Sequence, residues 1–161
     1  IGGGDWADDR LIPDILRSFE KNEAVVIRNP KATRPWQHVL EPLSGYLRLA
    51  EQLFNDPVTF SEGWNFGPYN NDVKPVDWIL DHMIELWPGA SWVLNENENP
   101  HEATLLNLDI SKASELLGWT PTWDLPMTLG SIIRWHKLWL GGADMRKVCI
   151  TEIDNFTKEM N

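Results

Sequence analysis

Apolar residues recur at three- and four-residue spacing in several stretches, which is the mark of helices with one covered face. Leu11, Ile12, Ile15, Leu16 and Phe19 predict a helix over 10–20, with Asp9 placed to cap it. Residues 24–27 form a short apolar, β-branched run and predict a strand. A loop with Pro30 follows, and residues 35–39 are expected to be extended. Leu43, Tyr46, Leu47, Ala50, Leu53 and Phe54 give the strongest helical signal, with Pro42 in the first turn and Asp56-Pro57 as the stop. Residues 62–66 predict a strand ended by Gly67-Pro68, and residues 75–87 a helix that turns Val76, Ile79, Leu80, Met83, Ile84 and Trp87 inward. The polar stretch 95–100 reads as a surface loop, and residues 104–108 as a strand. Ser111 is placed to cap a short helix that ends at Gly118. Helices over 126–140, stopped by Gly141-Gly142, and over 144–158 complete the chain. Helices that alternate with short strands, without internal repeats, predict an α/β layer structure.

Composition adds limits to this picture. With 161 residues, 42% of them hydrophobic and 24% charged, the chain suits one globular domain. A net charge of -10 argues against general nucleic-acid binding, which needs a basic face; the same balance suits an acidic, soluble cytoplasmic protein. Cys149 is the single cysteine, so neither an intrachain disulfide nor a four-cysteine zinc site is expected. No apolar run approaches the roughly 18 residues of a membrane helix, and no signal peptide is recognisable. Asn155-Phe156-Thr157 matches the glycosylation pattern and is read as chance. The chain starts at Ile1 and runs at once into Gly2-Gly3-Gly4, like the end of a strand entering a loop, and is expected to be part of a longer protein.

Several reaction classes lack their motifs. Gly2-Gly3-Gly4 has no third spaced glycine and leads into Asp5, so it predicts a tight turn, not a dinucleotide loop. There is no Walker loop and no Gly-x-Ser-x-Gly elbow. His38, His82, His101 and His136 are scattered singly, which predicts no metal site. Four residues after Tyr46 and Tyr69 stand Ala50 and Val73, so the Tyr-x-x-x-Lys proton-transfer pair is missing.

Residues 2–14 and 28–39 are the informative stretches. Each puts an arginine on or beside a loop. Arg34 lies between a proline-bearing turn and the stiff Pro35-Trp36 pair, and a held guanidinium suits bidentate contact with a diphosphate. Arg10, Arg28 and Lys31 add local positive charge; the competing reading pairs all of these with surface carboxylates.

Both stretches resemble the C-terminal half of the CDP-glucose 4,6-dehydratase family, extended short-chain dehydrogenase/reductases. Trp64-Asn65-Phe66-Gly67-Pro68, His101-Glu102-Ala103, the 108–113 segment, Leu117-Gly118-Trp119-Thr120-Pro121 and Asp144-Met145-Arg146 are similar to the family as well. The resemblance implies an α/β substrate-binding lobe over 1–161, with helices and a strand that pack on an N-terminal NAD-binding half. It implies a reaction in the complete enzyme in which NAD takes hydride from C4, water leaves across C5 and C6, and hydride returns to C6. The NAD loop, the catalytic Tyr and Lys and the dehydration acid/base groups belong to the family's other half. No catalytic residue and no bound cofactor are therefore expected here; the expected ligand is CDP-glucose, and the complete enzyme is expected to be a homo-oligomer.

By the same resemblance, Arg10 and Leu11 match the pair that begins the helix beneath the nucleotide. Val25 and Ile27 match the strand positions that flank the base, Arg34 the arginine on the diphosphate, and Asn65 the strand-end asparagine. Many relatives carry a second phosphate-binding arginine just before the acidic residue matched by Glu102. Here Asn99, Pro100 and His101 stand in that place, so His101 or Arg28 is expected to take the role. Leu105 and Leu106 stand where an aromatic is expected.

Ten tryptophans raise a rival reading, a carbohydrate-binding module. Trp135 and Trp139 are four apart on one helix, and Trp78 and Trp87 fall in or near another apolar stripe, so core or domain interface is the expected role. Trp6 and Trp36 sit beside the proposed site and are expected to support its loops. A relative acting on another nucleotide, or a non-catalytic interaction domain, are the remaining alternatives. The stripe over 43–54 is expected to pack on the cofactor domain and, in this chain alone, to leave an apolar patch exposed or to drive self-association.

Overall fold

The computed structural model describes residues 1–95 and 106–160. Its elements are α1 (Leu11–Glu20), β1 (Val25–Ile27), β2 (Thr33–Arg34), α2 (Leu40–Asn55), α3 (Pro57–Phe60), β3 (Lys74–Pro75), α4 (Val76–Glu85), β4 (Trp92–Leu94), α5 (Ser111–Leu117), α6 (Leu125–Leu140) and α7 (Met145–Glu159). β1 and β4 pair in parallel, Val26 opposite Val93, while β2 and β3 pair antiparallel, Arg34 opposite Lys74. The parallel pair requires a crossover, and α4 lies within it.

The main core follows the helical periods. Ile12, Ile15, Leu16 and Phe19 of α1 meet Ile79, Leu80 and Met83 of α4 and Leu129, Ile132 and Ile133 of α6, with Val25 and Ile27 of β1 on the same side. A smaller cluster joins Phe66, Ala113, Leu117 and Trp119. Gly45 of α2 is needed there, because a Cβ at that position would run into the Phe66 ring. Gly118, in the left-handed conformation at φ 59°, ends α5 as expected.

Several expectations are corrected. Asp9 does not cap α1: it adopts φ 59°, Arg10 takes the N-cap position, and no side chain bonds there. Residues 62–66 form no strand. Side-chain bonds hold them instead, Trp64 to the Phe60 carbonyl at 3.1 Å and Gln37 to the Phe66 carbonyl at 2.8 Å. Residues 106–108 are likewise irregular, and 104 and 105 lie outside the described residues. Ser111 is the first residue of α5, not its cap; the Asp109 carboxylate accepts the Ser111 N–H at 2.9 Å.

α2 forms where its period predicts, and its apolar stripe stands largely exposed in this chain alone, as expected. Glu41 and Gly45 are its buried residues, whereas Leu43, Tyr46, Leu47 and Phe54 stand exposed. Leu47 is 75% and Phe54 89% exposed. Among the described residues no helix is long and apolar enough to cross a membrane, and no group of three or more His, Cys, Asp or Glu side chains could hold a metal ion.

Candidate functional site

The chain turns back between α1 and β1, so the N-terminal end of the helix lies beside the C-terminal end of the strand. Open α/β folds bind ligands outside the carboxyl ends of their strands. A cleft of about 410 Å³ opens at this place. Asp9, Leu11 and Asp14 form its helix wall, and Val25, Val26 and Ile27 its strand wall, continued by Arg28 and Asn29. Ala32, Arg34 and Trp36 come from the following loop, and Val76 from the start of α4.

That loop is pinned from several sides. The Ala32 carbonyl accepts the Val76 N–H at 3.1 Å, and the Pro30 carbonyl accepts the Asp77 N–H at 2.9 Å. Orphan donors of the first turn of α4 are thereby satisfied by loop carbonyls. Lys31 pairs with Asp77 at 2.5 Å, and the hydrogen bond to this carboxylate holds the ammonium above its ordinary pKa. The Trp36 indole donates to the Lys74 carbonyl at 3.0 Å, and Arg34 bonds the Thr33 carbonyl at 2.8 Å. The half-buried Arg34 guanidinium is therefore held at the cleft wall, as the flanking prolines predicted, while Arg28 lies exposed at the mouth.

The helix wall is fixed by the N-terminal loop. Arg17 donates to the carbonyls of Trp6 and Ala7, both at 3.2 Å, and pairs with Asp14 and, at 3.5 Å, with Asp8. Asp5 accepts the Ala7 N–H and pairs with Arg10 at 3.2 Å; these contacts, the backbone bond first, keep its carboxyl below the usual range. Trp6 rests against Trp139 and His136, with ring centroids 4.5 and 5.7 Å away, and His136 meets Glu20 at 2.6 Å. Gly3 lies so close to Trp135 that a Cβ would enter its ring, and a Cβ at Gly2 would press on Val39. Gly2 and Gly3 thus serve close packing of the N-terminal loop.

The structure brings Leu11, Val25, Ile27, Arg28 and Arg34 together around this cleft. Arg10 stands next to its helix wall and directs its guanidinium to Asp5. Asn65 is elsewhere, donating to the Asp109 carbonyl at 3.2 Å. His101 and Glu102 lie outside the described residues. Sequence reasoning passed over Asp14 and Val76 as cleft residues. Asp14 was open to detection, since it follows Leu11 by three residues and so shares its helix face.

The tryptophans are chiefly packing residues. Trp119, Trp123 and Trp135 are buried, Trp87 packs on Phe19 with centroids 5.6 Å apart, and Trp78 stacks on His82 at 5.1 Å. Trp36 alone of the ten lines the cleft.

No protein-family model matches the chain. It is 57% identical, over 157 residues and 97% of its length, to a CDP-glucose 4,6-dehydratase of Salmonella typhimurium, and it spans 44% of that relative. Several solved structures share its fold. A UDP-glucuronic acid 4-epimerase of Bacillus cereus, in complex with UDP-4-deoxy-4-fluoro-glucuronic acid and NAD, superposes with a TM-score of 0.66 at 18% identity; the match covers 86% of this chain and 43% of that one. A dTDP-glucose 4,6-dehydratase of Bacillus anthracis, in complex with NAD, gives 0.64 at 16% identity, covering 84% and 41%. The fold is thus α/β and corresponds to less than half of each of these two solved chains.

Proposed function

The chain is a homologue of CDP-glucose 4,6-dehydratase over nearly its whole length, and from that premise we propose that it forms the part of such an enzyme that binds CDP-glucose. One observation carries this reading: Leu11, Val25 and Ile27 give the cleft apolar walls for a flat ring, and Arg28 and Arg34 give it guanidinium groups for a diphosphate. Arg34 is the principal diphosphate ligand, held before the ligand arrives. Arg28 is the second, in the role otherwise assigned to His101. Arg10 stands beside the same cleft, while Asn65, which lies away from it, and Glu102, outside the described residues, are assigned to the substrate by resemblance alone.

The complete enzyme would turn CDP-glucose into CDP-4-keto-6-deoxyglucose for deoxysugar synthesis. NAD, when bound to the complete enzyme, would supply the hydride chemistry of this conversion. Gly2, Gly3 and Gly4 do not fit a dinucleotide, so no step on NAD is assigned to this chain. The Tyr and Lys that handle protons belong to the NAD-binding half, and the exposed face of α2 would pack against that half.

Titration calorimetry tests the reading. The chain should bind CDP and CDP-glucose, and Arg34→Ala should weaken both by roughly 10- to 100-fold, the worth of a charge-assisted bond. Binding of free oligosaccharides with no response to CDP would identify a carbohydrate-binding module and overturn it.

A further inference from the structure

Two carboxylates line a cleft whose proposed ligand is an anion, and they call for an explanation. Asp9 is exposed at the rim, in a left-handed conformation. Asp14 is different: it is half-buried and sits one turn after Leu11, on the side of α1 that faces β1. Its position is set by Arg17, which bonds Asp14 Oδ1 while its donors also hold the carbonyls of Trp6 and Ala7. A ring seated against Leu11, Val25 and Ile27 would share the cleft with this fixed acceptor and meet it along one edge. Pyrimidines differ at that edge, since cytosine carries an amino donor where uracil and thymine carry a carbonyl acceptor.

We propose that Asp14 selects the nucleobase: its carboxylate accepts an amino hydrogen of cytosine and repels the carbonyl oxygen that uracil or thymine would put there. The proposal rests on the reading of the cleft as a CDP site. It accounts for an anionic group in an anion-binding cleft, because selectivity gained against the wrong base offsets a modest loss of attraction for phosphate. Arg17 carries the complementary charge and keeps the carboxylate oriented.

The test is a calorimetric comparison of CDP, UDP and the diphosphate of pyrimidin-2-one riboside, which has hydrogen in place of the amino group. The wild-type chain should favour CDP over UDP by roughly 10- to 100-fold, with the analogue between them. Asp14→Asn should bring CDP and UDP to within about threefold, because an amide can donate or accept, whereas Asp9→Asn should keep the preference. An unchanged preference in Asp14→Asn, its loss in Asp9→Asn, or an analogue as tight as CDP would overturn the role of Asp14 and leave the cleft reading intact. No binding of any of the three to wild type would overturn the cleft reading and Asp14 with it. If Asp14→Asn does not fold, the analogue decides.

Discussion

The carboxylate of Glu41, fully buried in the first turn of α2, accepts the backbone N–H of Trp123 at 2.7 Å. Its second oxygen accepts the Thr122 N–H at 3.0 Å. The pair ties α2 to the segment that leads into α6, just before Asp124 caps that helix through the Met127 N–H at 2.8 Å. Burial raises the Glu41 pKa, and the two N–H groups oppose the rise only in part.

Glu41→Ala should cost about 2–4 kcal/mol, from two unpaired buried donors and a cavity. Glu41→Gln should cost less, because its amide oxygen still accepts one bond while its NH₂ faces the other donor. A raised folded pKa favours the protonated native state. The stability Glu41 lends is therefore full below the ordinary glutamate value of 4.5 and is lost as pH rises through the folded pKa. The stability gap between wild type and Glu41→Gln should shrink on going up from pH 4.5, as read by urea denaturation.

His38 gives the opposite slope. Its ring is buried, accepts the Leu40 N–H through Nδ1 at 3.3 Å, and leaves Nε2 3.9 Å from Glu152 without a hydrogen bond. Burial, helped by the Ile1 ammonium, lowers its pKa to about 4. The unfolded chain takes up this proton first, so stability present above pH 6.5 is lost as pH falls toward 4, by roughly 3 kcal/mol at most. His38→Leu should flatten that part of the curve of denaturation midpoint against pH; an unchanged slope would show that another group carries it.

The long helices were legible because each repeats its period over several turns: the spacing of Ile12, Ile15, Leu16 and Phe19 alone marks the buried face of α1. β2, β3 and β4 were not, because two or three residues cannot display an alternation, and their pairing is set by chain segments far away. An aspartate before an apolar run signals a cap, but nothing local announces that Asp9 takes a positive φ and leaves the position to Arg10. At the cleft, Arg34 was readable from its prolines and from resemblance. Asp14 looked like an ordinary acid in a first helical turn, and its place on the wall follows from how α1 lies on β1.

The exposed stripe of α2 gives the last prediction. Leu40, Leu43 and Leu47 border a groove of about 710 Å³ that also takes in Ile153, Phe156 and Met160 of the C-terminal segment. Contiguous apolar surface of this kind marks a docking face, which the proposed NAD-binding half would cover. The chain alone should bind an apolar dye and sediment as more than a monomer. Leu47→Glu with Phe54→Glu should remove both properties while changing folding stability by no more than about 0.5 kcal/mol per site, since neither side chain is part of a core. In the full-length enzyme the same pair of substitutions should lower activity without weakening CDP binding to the cleft. A monomeric wild-type chain that ignores the dye would count against a docking role for this face.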